Sequence, residues 1–553
     1  MRKKIFLCIS SAILIILSFP ISHSTGSFWF LAWIFLVPLF LAVQNEKPLK
    51  SFLYGTLTGF IAYCGILYWL VPTFSTAGEP IIIGVIVLFL LSFYLAVYYG
   101  FFCFLSSLFP TSFPLFFASL WISLEFIRTY LFTGFPWALL GYTQWSNLPI
   151  IQISEFTGIY GVSFLIILVN LAIVSIITNN SKCCVERGEV SHKKNSSSLI
   201  RNGNIKNCGF TLLLVLICLI FGFSKLTTRC LPLTTCRLSI LQGNIDQHKK
   251  WNKQYEQEIM DTYNRLALLT TLNFPLRTPR SPLRTLNSKL QTTNSIPSAL
   301  VIWPESSLPG YLKSEQEVYD WTVNIAKKTK VQHLVSSNDY RNDKLYISAF
   351  LISSDGKIIG EYSKNHLVPF GEYVPLRNFL CKFIKVINEI GEFSSDKEHN
   401  VINSSIGKLG VNICFEAIFP NEIRKSVKNG AQIIVNLTND GWYLKTSAPY
   451  QHFTMNIFRA VENRRFIVRA ANTGISGFID PFGRIRKKTE IFTTTVLIDD
   501  IPTMDTVDKK TFYTKFGDIF AYLCIIISII FLTFRKKFNK LKTVVGGVGQ
   551  EAG

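Results

Sequence analysis

The sequence predicts an α-helical membrane bundle of eight spans joined to one large water-facing α/β domain. Three observations predict it. Charged residues make up only 16% of the 553-residue chain and apolar residues 49%, whereas a soluble globular protein carries about 25% charged residues. The apolar excess is gathered into runs of about 20 residues, the length that crosses a hydrocarbon core, within the first 225 positions and once more near the end. From 237 to about 500 the pattern changes to short strand-like runs alternating with helical periodicity, the mark of a layered α/β domain. These features exclude a purely soluble enzyme, and 46 Phe with 21 Tyr exclude a disordered chain.

The predicted spans are 5–22, 27–43, 51–72, 81–105, 113–132, 158–178, 209–225 and 516–534. The first follows Met1-Arg2-Lys3-Lys4, as the apolar region of a signal peptide would. No small-x-small cleavage pattern follows it, and further apolar segments do, so it reads as an uncleaved span. Basic residues mark the inner loops: Lys47 and Lys50 in 44–50, six Lys or Arg in 179–208, and Arg535-Lys536-Lys537 after the last span. The loop 73–80 has no Lys or Arg and falls outside. Both termini are then cytoplasmic, and 226–515 lies on the outer face, provided that the short segment 209–225 crosses. The division is therefore 1–225 membrane domain, 226–515 outer domain, 516–534 final span and 535–553 cytoplasmic tail, of which 543–553 is small, polar and expected to be disordered. Glu125 and Arg128, three apart within a span, share a helix face and read as a structural pair.

The net charge of +21 resides largely in these anchoring loops. No base-reading or stacking motif accompanies it, so no nucleic-acid partner is expected. Of the 12 cysteines, only Cys230, Cys236, Cys381 and Cys414 reach the outer side; a disulfide among the first three is left open, and no spacing suggests a metal site.

In the outer domain, strands are expected at 237–242, 299–303, 331–336, 345–353, 357–363, 409–413, 432–436, 466–470, 475–479 and 494–499. Helices are expected at 252–270, 315–327, 420–428 and 449–463. Residues 272–298, rich in Thr, Ser, Pro and Arg, read as a flexible insertion. Three strand ends carry Glu305, Lys364 and Cys414. A thiol needs a base to become a nucleophile. A neighbouring ammonium lowers its pKa and can steady an oxyanion. The set is complete for acyl transfer through a thioester.

The words around those residues are specific. They are Ile302-Trp303-Pro304-Glu305-Ser306, Lys364-Asn365-His366-Leu367-Val368-Pro369-Phe370-Gly371-Glu372, and Gly410-Val411-Asn412-Ile413-Cys414-Phe415-Glu416. In that order they resemble the nitrilase superfamily of carbon–nitrogen hydrolases and acyltransferases. With spans on both sides, the chain from about residue 5 to 535 resembles the apolipoprotein N-acyltransferase family of bacterial inner membranes. Trp121 to Arg128 with Thr133-Gly134-Phe135-Pro136-Trp137, Gln242-Gly243-Asn244-Ile245 with Trp251, Asn436 to Trp442, Arg459 to Arg465 and Asn472-Thr473-Gly474 extend the likeness.

The resemblance implies an α-β-β-α sandwich, with Cys414 as nucleophile, Glu305 as general base and Lys364 as oxyanion stabiliser. It places Glu372 as a support for the lysine or base, and Phe415, Glu416 and Trp251 in or beside the substrate pocket. His366 reads as structural. The implied reaction moves an acyl chain from a membrane phospholipid, through a Cys414 thioester, to the N-terminal amine of a diacylglyceryl-modified apolipoprotein. No cofactor or metal enters it, and the catalytic domain is periplasmic. Two departures are visible: Phe415 where relatives often carry Tyr, and Tyr346-Ile347-Ser348 where an Asn commonly lies between. A membrane-tethered amidase acting on small amides needs only the triad and leaves the spans unexplained; a transporter would show intramembrane charge and repeated halves, which are sparse and not apparent here.

Overall fold

The computed structural model describes residues 1–21, 27–109, 113–186, 194–227, 235–271, 299–375, 377, 392–396, 398–502 and 509–535. The expected insertion 272–298, Cys230, Cys381 and the tail 536–553 lie outside them. Cys236 is buried, its thiol 3.6 Å from the Ile501 carbonyl oxygen.

Helices cover the apolar runs at each end of the chain. Among the described residues, three are long and apolar enough to cross a membrane: Ile81–Ser106, Ile159–Thr178 and Asn207–Thr227. Pro48–Ile66 and Leu70–Thr76 together make a fourth, bent by 45°. The other predicted spans are shorter helices. The 27–43 run is a 3-10 turn, Trp29–Trp33, followed by Leu36–Val43. The 516–534 run starts its helix only at Ile519, because Gly517 at φ 69° closes the preceding turn Phe512–Phe516. Pro48–Ile66 and Ile81–Ser106 approach closely through glycines. A Cβ on Gly59 would lie 2.9 Å from Ala96 Cα, and one on Gly55 would lie 2.5 Å from the Tyr99 carbonyl. Small residues at such crossings let helix backbones pack in lipid.

The expected Glu125–Arg128 pair holds as a through-space attraction and not as a direct contact. Both residues are buried, but the ion pairs among the described residues do not include one between them. Glu125 accepts the Leu140 N–H at 2.7 Å; Arg128 donates to the Tyr63 hydroxyl and, at 3.3 Å, to the Ala138 carbonyl. Each charge finds a nearer partner in the segment after its own helix, so together they pin 138–140.

The described residues of the central domain form twelve strands: β1 Thr235–Gln242, β2 Leu300–Ile302, β3 Gln332–Arg341, β4 Lys344–Ile352, β5 Ile358–Ser363, β6 Ile402–Ser404, β7 Gly407–Ile413, β8 Ile433–Thr438, β9 Phe466–Ala471, β10 Gly477–Ile479, β11 Ile485–Lys488 and β12 Thr495–Pro502. They form two six-stranded sheets, ordered β12-β1-β2-β3-β4-β5 and β11-β10-β9-β8-β7-β6. β7, β8 and β9 run parallel and are buried on both faces, which is why they read as continuous apolar runs. β3 continues to Arg341, beyond the expected 336, and turns into β4 through Asn342 and Asp343, both at positive φ as a two-residue hairpin requires.

The sheets face each other across one core that includes Leu238, Ile240 and Leu334 from the first and Val411, Val435 and Val468 from the second. Helices Glu256–Leu269 and Gln316–Thr329 cover the outer face of the first sheet. Helices Pro420–Lys428 and Ala448–Asn463 cover the second, and their cluster runs without interruption into the membrane-side helices. The domain is an α-β-β-α sandwich whose second helical layer is also its seat on the membrane half.

Candidate active site

The parallel strands end at one edge, where an open α/β sheet collects its chemistry. β2 ends before Trp303, whose ring stacks on Tyr263 at 4.7 Å and donates to His333 at 2.9 Å. Two residues on, Glu305 sits just before Ser306, which takes φ 48°. β5 ends before Lys364, whose N–H is tied to the Ile347 carbonyl at 2.9 Å. β7 ends at Ile413, and the next residue, Cys414, takes φ 50° at the start of the 3-10 turn Cys414–Ile418. That left-handed conformation is costly for a residue with a Cβ and persists only where its surroundings hold it.

Three of the expected residues converge around one buried ammonium. Lys364 Nζ lies 2.6 Å from Glu372 Oε1 and 3.3 Å from Glu305 Oε1. The other oxygen of Glu305 accepts the Asn439 N–H at 3.0 Å, and the other oxygen of Glu372 accepts the Val368 N–H at 2.9 Å. Burial opposes the Lys364 charge, but Glu372 and Glu305 outweigh it and hold the ammonium protonated well above the usual lysine range. Glu372 is raised by burial, with Lys364 pulling it back down. The Cys414 thiol belongs to the same electrostatic cluster: burial first, then Glu305, push it up, while Lys364 and a hydrogen bond from Thr438 pull it down. It rests as a thiol beside a carboxylate able to take its proton and an ammonium able to meet developing negative charge.

The remaining expected residues are placed differently. Glu416 is fully buried, and its carboxylate accepts from Ile413 N and Asn365 N at 2.6 Å, His366 N at 3.1 Å and the Tyr362 hydroxyl at 2.9 Å. It ties the Lys364 strand end to the Cys414 turn. Burial raises it to about 7 despite those donors. Phe415 packs at 5.3 Å from Phe419 and 6.0 Å from His366, in the core shared with the membrane half. His366 stacks on Phe419 at 3.7 Å. Trp251 is 46% exposed, and among the described residues no ring contact or hydrogen bond joins it to the cluster.

Sequence reasoning missed a second buried cluster beneath Cys414. His452 Nε2 lies 3.2 Å from the Cys414 carbonyl oxygen and Nδ1 lies 3.0 Å from Asp440 Oδ1. Arg469 donates to Asp440 Oδ2 at 2.8 Å and also to Asn436. Burial alone would raise Asp440, but Arg469 and His452 outweigh it and hold it at about 2. The available signal was in helix Ala448–Asn463, where His452, Asn456, Arg459 and Asn463 are polar and buried along one face. Sequence reasoning also missed Lys250, 4% exposed, whose Nζ donates to the Glu305 main-chain oxygen at 3.1 Å.

The membrane half grips the same helix. Gln451 accepts from Trp137 at 2.8 Å and Trp69 at 3.3 Å, and donates to the Ile66 carbonyl at 3.2 Å. The Trp137 ring sits 5.5 Å from the His452 ring. The segment 133–137 thus reaches Cys414 through one intervening side chain, His452.

The sandwich and its acid–ammonium–thiol cluster define a carbon–nitrogen hydrolase domain, and the carbon–nitrogen hydrolase family model matches residues 239–509. The model of the apolipoprotein N-acyltransferase N-terminal domain matches residues 11–172. An apolipoprotein N-acyltransferase of Geobacter metallireducens is 36% identical over 97% of this chain and 96% of its own length. Those of Rickettsia prowazekii, at 29% over 88% of this chain and 86% of theirs, and Treponema denticola, at 27% over 96% of each, are also similar. The chain belongs to the apolipoprotein N-acyltransferase family.

Proposed function

We propose that this protein transfers an acyl chain from a membrane phospholipid to the N-terminal amine of diacylglyceryl-cysteine on apolipoproteins, by a ping-pong route through a Cys414 thioester. The observation that carries the reading is the Glu305–Lys364–Glu372 cluster around Cys414, set on a helix that the membrane half holds.

Glu305 accepts the Cys414 proton on the oxygen facing Lys364, its other oxygen being held by Asn439. The thiolate attacks the sn-1 ester carbonyl, and Lys364 meets the oxyanion. The C–O bond breaks, Glu305 returns the proton to the leaving lysophospholipid oxygen, and a thioester remains. The lipoprotein amine then attacks that carbonyl and gives its proton to Glu305; the C–S bond breaks and an amide forms. Glu372 keeps Lys364 aimed. Water must be excluded while the thioester stands, and an 8% exposed Cys414 suits that need. In this reading all eight apolar runs cross or enter the inner membrane of a bacterium, both termini are cytoplasmic, and the catalytic domain faces the periplasm just above the lipid that supplies the acyl group.

The test mixes purified protein with phospholipid and measures the mass of the Cys414 peptide, then adds a diacylated lipopeptide and follows N-acylation. Acyl adduct on wild type, released by the lipopeptide and missing from Cys414→Ser, is the expected result. Hydrolysis of small amides with no acyl adduct would replace this reading with that of a tethered amidase.

A further inference from the structure

The charges around Cys414 do not balance without Lys250. Two carboxylates, Glu305 and Glu372, share one ammonium, Lys364, in a buried site. Glu305, Lys364 and Glu372 have side chains 8%, 0% and 15% exposed. Two anions with one cation leave a net negative charge there. When the Cys414 proton moves to Glu305 the total is unchanged, so the thiolate and Glu372 would still face one cation. A buried uncompensated charge is expensive.

Lys250 is the second cation. It lies in the loop between β1 and helix Glu256–Leu269, is 4% exposed, and its Nζ donates to the main-chain oxygen of Glu305 at 3.1 Å. That bond uses one of its three N–H groups and holds the ammonium against the base's own backbone. Burial lowers Lys250 to about 8, while Glu305 and then Cys414 pull it up, which places the thiol within its electrostatic reach. A lysine at about 8 is mostly charged at neutral pH.

Resting on the acyl-transfer reading, we infer that Lys250 is a positioning residue for the reaction: its buried ammonium fixes the Glu305 backbone and brings the Glu305–Glu372–Lys364 cluster to neutrality, so that the Cys414 thiolate can form. It does not touch substrate. The main-chain tie and the charge are separable, because an amide side chain can still donate to the Glu305 oxygen but carries no charge.

The experiment measures the rate of Cys414 alkylation by iodoacetamide at pH 7, where Lys250 is mostly charged, in the full-length protein with phospholipid and lipoprotein absent, so its outcome does not depend on whether either is the true substrate. Lys250→Gln should stay folded and lower that rate about tenfold, equivalent to tenfold less thiolate. Lys250→Arg should restore the wild-type rate. Lys250→Gln with Glu372→Gln, which removes one anion along with the cation, should move the rate back toward wild type. In the transfer assay, Lys250→Gln should lower kcat about tenfold with KM for the phospholipid unchanged. A wild-type alkylation rate in Lys250→Gln would overturn the inference and leave only the backbone tie. So would a slowing that the added Glu372→Gln fails to reverse, or loss of folding in both the Gln and the Arg proteins.

Discussion

Two buried charge clusters flank Cys414, and they are built to opposite ends. Below it, Asp440, His452 and Arg469 have side chains with no exposure, and both Asp440 oxygens are paired: one by His452 and Thr438, the other by Arg469. Beside it, Glu305, Glu372 and Lys364 form a looser group in which one ammonium serves two carboxylates at unequal distances, 2.6 Å and 3.3 Å. In the first network each Asp440 oxygen and each His452 ring nitrogen has a partner, so it holds shape, and what it holds is the carbonyl of a cysteine at φ 50°. The second keeps an oxygen of Glu305 within the reach of a proton that must move. Every carboxylate oxygen in both clusters has a partner; what differs is that the second divides a single ammonium between two carboxylates.

The comparison breaks most visibly at the thiol. Cys414→Ala should reduce transfer by about 10⁴-fold or more while leaving the melting temperature of the purified protein nearly unchanged; retained turnover would remove the reactive role from this cluster. Glu305→Gln should cost about 10²- to 10⁴-fold in turnover and yet make Cys414 easier to alkylate near neutral pH. After burial, the Glu305 charge is what holds the thiol up, so removing it lowers the thiol pKa as it removes the base. Slower alkylation would contradict the electrostatic account.

The lower cluster should answer in stability instead. Asp440→Ala leaves Arg469 buried without its carboxylate, a loss of about 3–5 kcal/mol, read as a lowered melting temperature before any loss in the activity of the remaining folded fraction. Its pH dependence has a definite sign. The folded-state value of about 2 lies below the ordinary 3.8, so the contribution is complete above pH 4 or so and drains away as pH falls through about 2. Wild type should therefore lose more stability than the Asp440→Asn protein across that acid window. The smallest expected effect belongs to Phe415→Tyr. Phe415 packs against Phe419 in the core that joins the two halves and does not face Lys364, so turnover should change by less than about tenfold.

A layered α/β domain was readable in the chain because each buried parallel strand had to be an apolar run and each covering helix had to carry one apolar face; that it is a two-sheet sandwich came from the family likeness. Boundaries failed where a backbone conformation decided them: at the Asn342-Asp343 hairpin, and at Gly517 where the last apolar run breaks. Glu305, Lys364, Glu372 and Cys414 were readable because each stands in a distinctive local word. Lys250 and His452 were not. Their partners are a main-chain oxygen 55 residues away and another 38 residues away, and nothing in a local pattern announces such a contact. Glu125 and Arg128 looked like a pair by helical spacing, but the chain folding back at 138–140 offered nearer partners.

The sequence by itself determined the apolar lengths, the alternation of strands and helices and which residue types stand at the strand ends, because periodicity and backbone preference act over a few residues. The tertiary structure alone decided which charges share one buried volume, that one lysine serves two carboxylates, and that the membrane half reaches Cys414 through His452. Charge balance and burial depend on distances in space, and those are set only when distant segments pack.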